Sequence, residues 1–445
     1  LKIVVIAAAP ALGALLLWAI LDLENFVLFA VLGTIVFPAS LAKPFGTNVD
    51  AADILLLIAL SAWLVSNSLG RAPDPWIRRN SLWWPAMFYL TVNAASIAWS
   101  VKPRSTLFFA VQLTELIVLF PIIMATIPQS TRKIRTAFSM VIVLTCGQAV
   151  WSLLVYFSNH SARISGTYLP GLNKNALGSF LAAGLVIAFA RWVGSSGARR
   201  HWLVPAMALL LAGTVASGSR GALLGAGAAI ITAGVLLGHR RLFTVLLAVT
   251  IIVLYVGVIV PEQAAKTRVA GSYNSSVIRS AAWAATVKKI EHQPWLGTGA
   301  RTFSATLREP LGTIIDPDNL FLLTWAELGI PGMLTLGFLL FRIGQLTVRS
   351  RHLPRDAAAL AVGAGGVALS VIVHSLVDIS WVRGQTTLEF AMIGLMLAIN
   401  RIDRESAAAD SSSEVDSTQM AEPPPLQLTG ERFAAVGRHD PSRLT

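Results

Sequence analysis

Residues 176 to 192 read ALGSFLAAGLVIAFARW, with Arg191 as the one charge near the end of an otherwise apolar run. A helix crossing the hydrocarbon core of a bilayer takes roughly 20 mostly apolar residues, and this run is close to that length. Comparable runs occupy 3–20, 26–42, 52–69, 82–99, 105–126, 134–158, 202–217, 220–237, 242–260, 319–342, 357–378 and 386–400. The chain is 55% hydrophobic and only 13% charged, against about 25% charged for a soluble domain. Mean hydropathy is +0.66. The solvent is therefore the bilayer. Helices satisfy their own backbone within one apolar segment, so the expected fold is all-α, a polytopic membrane bundle of about twelve or thirteen transmembrane helices. Residues 3–20 read as a retained helix, because Lys2 alone makes a weak n-region and no small-residue cleavage site follows.

Charge distribution orients the bundle. Basic residues collect in the loops 71–80, 130–135, 191–200, 238–241 and 341–355, which the positive-inside rule places in the cytoplasm. The segments 159–175, 217–220, 261–317 and 379–385 then share the opposite face, and VKPR at 101–104 runs against the rule by placing two basic residues on that side. The net charge of +12 is divided among short loops rather than gathered into a patch, which argues against nucleic acid as a partner. The single cysteine, Cys146, lies inside a span, so no disulfide framework exists. Residues 1–400 form the expected membrane domain; 401–445, rich in Ser, Ala, Asp and Pro, read as a disordered cytoplasmic tail.

One long connection, 261–317, falls on the external face and contains SSVIRSAAWAATVKKIEHQ, Ser275 to Gln293, an amphipathic helix with a serine N-cap and Pro294 beyond its end. Polar groups converge on that face. Arg163, Arg220, Arg279 and Arg301 are guanidinium donors whose fork matches phosphate oxygens. Arg220 opens a span directly after Ser219, where a helix N-terminus also favours an anion. Each arginine alone is equally well read as snorkelling to headgroups. Asn173 reads as the cap of the helix beginning near Ala176, with Asn175 as a ligand contact, and Gly297 and Gly299 serve either a turn or a phosphate. In IDPDNLFLLTWAELGIPG, Ile315 to Gly332, Asp318 or Asn319 caps the next helix. Glu327 then lies about 13.5 Å beyond Asp318 in a regular helix. A carboxylate at that depth either lines a wet cavity or is protonated, and GIPG breaks or kinks the helix after it. His374 and Asp378 share a helix face, either as a structural pair between helices or as catalytic groups. No HExxH, DxD or Cys/His cluster is present, so neither a metal nor another cofactor is expected.

The order of R-x-x-G with an Asn-rich turn, SRG opening a helix, R-x-x-x-W and P-x-x-G-x-G in an external loop, and DN-L-x-L with AELG-x-x-G resembles the O-antigen ligase and O-antigen polymerase superfamily. The resemblance is best over 163–332. It implies a multi-pass protein of the bacterial inner membrane, with its active site facing the periplasm. It further implies metal-independent, inverting transfer of a glycan from undecaprenyl pyrophosphate to lipid A core or to another lipid-linked repeat unit. Arg220 and Arg279 match the family's essential arginines, with Arg163, Arg301, Asn175 and Asn319 as further substrate contacts. Ligases of the group carry histidine immediately before the motif's asparagine, where this chain has Asp318. Asp318 and His374 are therefore the two candidates for the base that an attacking hydroxyl requires. The competing class is a transporter or flippase of an anionic lipid or solute, which would place its polar groups near the bilayer midplane. A scaffold without catalysis is the third.

Overall fold

The computed structural model describes residues 13–36, 40–42, 49–68, 82–159, 166–167, 169, 172–196, 200–238, 275–303, 317–378 and 384–421. The chain divides into two compact units, Leu1–Asp403 and Arg404–Thr445. In the first, α1 (Gly13–Leu21) and α2 (Leu23–Val36) meet at a bend of 118°. Next come α3 (Ala51–Ser68), α4 (Trp83–Ala95), α5 (Pro103–Thr126), α6 (Thr131–Ser158), α7 (Lys174–Gly194), α8 (Leu203–Ser217) and α9 (Arg220–Leu236). Beyond the described gap lie α10 (Ser275–His292), α11 (Leu320–Arg349), α12 (Arg355–His374) and α13 (Gln385–Ala421).

Five described helices are long and apolar enough to cross a membrane, six if the bent pair counts as one span. The helices over Leu203–Ser217 and Arg220–Leu236 are shorter, because Gly218, in the left-handed region at φ 69°, turns the chain between them. The span expected over 242–260 and part of that over 3–20 lie outside the described residues. The run 26–42 does not make one helix: α2 closes at Val36, ahead of Pro38, which cannot continue the hydrogen-bond ladder. Residues Ser40–Ala42 instead pair antiparallel with Val49–Asp50, the one sheet among the described residues.

The centre is built from α7 and α12, of whose apolar windows 83% and 78% are buried, against 39% for α6, which presents Val143, Trp151, Leu154 and Phe157 outward. Bilayer helices gain nothing hydrophobically from leaving lipid, so close backbone approach through small residues holds them together. Gly363 and Gly366 of α12 face Ala190 and Val186 of α7; Gly213 of α8 faces Ala149 of α6. On α9, a Cβ at Gly225 would stand 2.2 Å from the Ser370 carbonyl oxygen of α12.

The helices run between two chemically different ends. At one, Arg135 pairs with Asp356 at 2.8 Å, Arg355 donates to the Val193 carbonyl at 3.1 Å and Arg191 donates to Ser139 Oγ at 2.6 Å. Arg401 belongs to this end as well. Its Nε and Nη2 donate to the carbonyls of Ala125 and Thr126 at the close of α5, at 3.2 and 3.4 Å, and Nη2 also reaches that of Pro128. That anchoring carries α13 past the boundary expected at residue 400: 401–421 are helical, where the composition pointed to a tail without structure. In the second unit, the described residues up to Ala421 are helical and 404–409 are exposed.

Gly225→Ala should force α9 away from α12 and lower stability by about 1–3 kcal/mol, the usual cost of overpacking. Gly147→Ala in α6 meets nothing within 4 Å and should be neutral or stabilising by up to about 1 kcal/mol through helix propensity. Thermal unfolding of the detergent-solubilised variants distinguishes them.

Candidate functional site

The other end of the bundle brings together the C-termini of α8 and α12 and the N-termini of α7, α9 and α11. Three of these helices start where the sequence places a capping residue. Asn173 accepts from the Ala176 N–H at 2.8 Å, and Ser219 from that of Ala222 at 3.4 Å. Asn319 Oδ1 accepts from the N–H groups of Phe321 and Leu322 at 2.9 and 3.0 Å. Arg220 is thus the first residue of α9, half-buried at its positive end.

His374 ends α12 against that helix start. Its ring is buried, with Nδ1 2.6 Å from Ser179 Oγ of α7 and Nε2 3.5 Å from Ser219 Oγ and 3.4 Å from Asp378 Oδ2. The approach requires glycine at 221, where a Cβ would lie 2.1 Å from His374 Cδ2 and 2.9 Å from Val377 Cγ2. The turn that carries Asp378 is tied to α11: Leu320 N–H donates to the Ser375 carbonyl and Asn319 Nδ2 to that of Leu376, both at 2.9 Å. Asn319, a candidate substrate contact, therefore commits both ends of its side chain to the fold. Asp318 precedes it, half-buried, with its backbone in the left-handed region at φ 44°. Trp283 of α10 donates its indole N–H to the Pro317 carbonyl, drawing α10 beside Asp318.

A second cluster surrounds Glu327. The helix α11 breaks at Gly329, whose φ of 64° and ψ of −157° are non-helical, and Pro331 follows without an N–H. The loop from Pro294 meets the demands this leaves. Ile330 N–H donates to the Pro294 carbonyl at 3.1 Å, while Thr298 and Gly299 donate to the Ala326 and Glu327 carbonyls at 3.3 and 2.8 Å. The Glu327 side chain accepts three more backbone bonds, from Arg301 at 2.8 Å, Thr302 at 2.9 Å and Phe303 at 2.8 Å. Its polar demand is met by protein backbone. Gly297 and Gly299 accordingly serve turns and close approach: a Cβ at 299, with φ 96°, would stand 2.6 Å from Ser100.

The same loop is anchored on its far side, where Thr106 Oγ1 donates to the Ala300 carbonyl at 2.8 Å and Val101 N–H to that of Thr298 at 3.3 Å. This puts VKPR on the same end as the loop from Pro294, the side on which it is an exception to the positive-inside rule. Arg301 is exposed and holds its guanidinium 5.8 Å above the Phe109 ring. Lys289 of α10 lies 4.8 Å over Phe303; burial pushes its ammonium down to about 8, against an opposing pull from Glu327.

Of the residues singled out from sequence, the described contacts join His374, Asp378, Asn319 and the helix start at Arg220. Arg301 belongs to the Glu327 cluster. Asn175 lies half-buried in the first turn of α7, the side chain of Arg279 is not among those described, and Arg163 lies outside the described residues. Ser179 and Ser219 were not singled out, although a serine before a helix is a readable cap. Among the described residues no group of three or more His, Cys, Asp or Glu side chains forms a metal site.

Residues 205–337 match the protein-family model described as O-antigen ligase. The match runs from α8 through the break in α11 and contains Arg220, Arg279, Asp318, Asn319, Glu327 and Gly329. No curated protein matches the chain. The family match and the apolar helices support an O-antigen ligase-like, multi-pass membrane protein of surface-polysaccharide synthesis.

Glu327→Ala would strand three N–H groups, of which those of Thr302 and Phe303 are buried and each cost about 1–3 kcal/mol. Its melting temperature in detergent should fall well below that of wild type, with Glu327→Gln, which keeps one acceptor oxygen, between the two.

Proposed function

We propose that the chain transfers a glycan from undecaprenyl pyrophosphate to an acceptor hydroxyl, of lipid A core or of another lipid-linked repeat unit, at the periplasmic face of the bacterial inner membrane. The observation that carries this reading is the packing of Gly221, next to Arg220 at the N-terminus of α9, on His374 at the end of α12, the same helix end to which the start of α11 is bonded. A sugar diphosphate needs little activation. Negative charge develops on the pyrophosphate as the glycosidic bond breaks, and fixed positive charge aimed at it lowers the barrier. A guanidinium at the positive end of a helix supplies that charge.

Arg279 and Arg163 belong to the same reading. The first lies in α10, the helix that Trp283 holds beside Pro317. The second precedes Thr167, whose N–H donates to the Ala216 carbonyl at the close of α8, at 3.3 Å. Arg301 is a further cation on the same end. Asn175 and Asn319 complete the candidate substrate contacts. Asp318 and His374 supply candidate acid–base groups, and the transfer inverts the anomeric centre without a metal. The periplasmic assignment rests on the opposite, arginine-rich end carrying Arg135, Arg191, Arg355 and Arg401. Transport fits less well, because these polar groups gather at one end of the helices instead of at their middle.

The test is purified full-length protein in nanodiscs, given undecaprenyl-pyrophosphate-linked oligosaccharide with lipid A core or a second lipid-linked repeat as acceptor. Wild type should form the joined glycan, detected by mass spectrometry, and Arg220→Ala should lower the rate by about 100-fold. Failure of wild type to form product with either acceptor would defeat the proposal. Full activity in Asp318→Ala would remove Asp318 from proton transfer.

A further inference from the structure

We infer that Asp378 is the catalytic residue that takes the acceptor's proton, and that His374 and Ser179 are positioning residues acting through it; this rests on the transferase reading above. Three observations carry the assignment. The first is access. The His374 side chain is 2% exposed and that of Asp378 15%, so an acceptor hydroxyl can meet the carboxylate but not the imidazole behind it.

The second is hydrogen-bond direction. A neutral imidazole has one donor and one acceptor, while a carboxylate only accepts. His374 Nε2 lies 3.4 Å from Asp378 Oδ2 and 3.5 Å from Ser219 Oγ; with the ring proton on Nε2, a donor faces both oxygens. Nδ1 is left as acceptor, and the Ser179 hydroxyl, 2.6 Å away, donates to it. The chain thus runs from Ser179 through His374 to Asp378, with the serine fixing the tautomer that presents an N–H to the carboxylate.

The third is placement. Asp378 sits on the turn that Leu320 and Asn319 bind by main-chain carbonyls, and Val377 of that turn packs on Gly221, the neighbour of Arg220. Base and leaving-group cation are carried on touching elements. In the transfer step the acceptor O–H bond breaks and its proton passes to a carboxylate oxygen of Asp378. The acceptor oxygen forms a bond to the anomeric carbon, and the bond from that carbon to the pyrophosphate oxygen breaks with its electron pair leaving on the pyrophosphate.

The nanodisc assay, with the same undecaprenyl-pyrophosphate-linked oligosaccharide and acceptors, tests this. Asp378→Asn should fold as wild type by thermal unfolding and lose about 100-fold or more in kcat, with KM for the donor within about twofold. Formate should restore measurable turnover to Asp378→Ala. Ser179→Ala should lower kcat by about tenfold, and adding it to Asp378→Asn should cost nothing further, because a positioning residue has no effect once its target is gone. An Asp378→Asn enzyme within about threefold of wild type overturns the assignment, as does a loss confined to KM. Multiplying losses in the double variant overturn the role of Ser179. Absence of product from wild type strikes the transferase reading itself, whereas an active wild type beside an active Asp378→Asn strikes only this inference.

Discussion

A helix broken inside a bilayer exposes backbone groups that lipid cannot satisfy, and the break at Gly329 and Pro331 is met bond for bond by the loop from Pro294 to Phe303. Most of the site end depends on that exchange. The loop is held by α11 on one side and by the α4–α5 junction on the other, through Trp99, Ser96 and Thr106. Helix α10 leads directly into it and is held again at Pro317. α10 and the loop that follows it to Phe303 are thereby held to the bundle, and the half of α11 that precedes the break keeps a defined start at Asn319.

The second constraint is the absence of side-chain volume where α9 meets α12. Gly221 and Gly225 are four residues apart and so share a helix face. That face admits His374 at one level and the Ser370 carbonyl at the next. Interdigitation of this kind gives lipid-exposed helices their specificity, because van der Waals contact replaces the hydrophobic effect as the driving force. The two constraints meet at the main-chain bonds from Leu320 and Asn319 to Ser375 and Leu376. Those bonds transmit the position of the broken helix to the turn that bears Asp378.

Much of this was legible in the sequence, and what was not has a physical reason. Apolar run length gave the long helices α5, α6, α7 and α12, and side-chain chemistry gave the caps Asn173 and Asn319, since a cap needs only its own residue type and a following helix. GIPG announced the break. The partner of Glu327 was not readable: its three donors are main-chain N–H groups of Arg301, Thr302 and Phe303, which carry no side-chain signature. Ser179 looked like any small residue of a span, and it acquires meaning only through a contact with His374, 195 positions away. The run 26–42 misled because hydropathy does not register that Pro38 ends a helix. Nor does composition near residue 400 reveal that the Arg401 guanidinium binds the carbonyls that close α5.

The acidic groups on this end of the bundle can be separated by their exposure and by what each holds in place. A carboxylate offers about four lone-pair sites. In Glu327, both oxygens are engaged by backbone donors at 2.8 to 2.9 Å and the side chain is buried. Taking up a proton there would weaken contacts that hold the loop. Asp378 is different: the imidazole approaches it at the longer distance of 3.4 Å, and part of its side chain reaches solvent. A proton delivered to it leaves the helix break and its loop untouched. The fold thus keeps the carboxylate it needs for integrity apart from the one placed for chemistry, with the first half of α11 spanning between them.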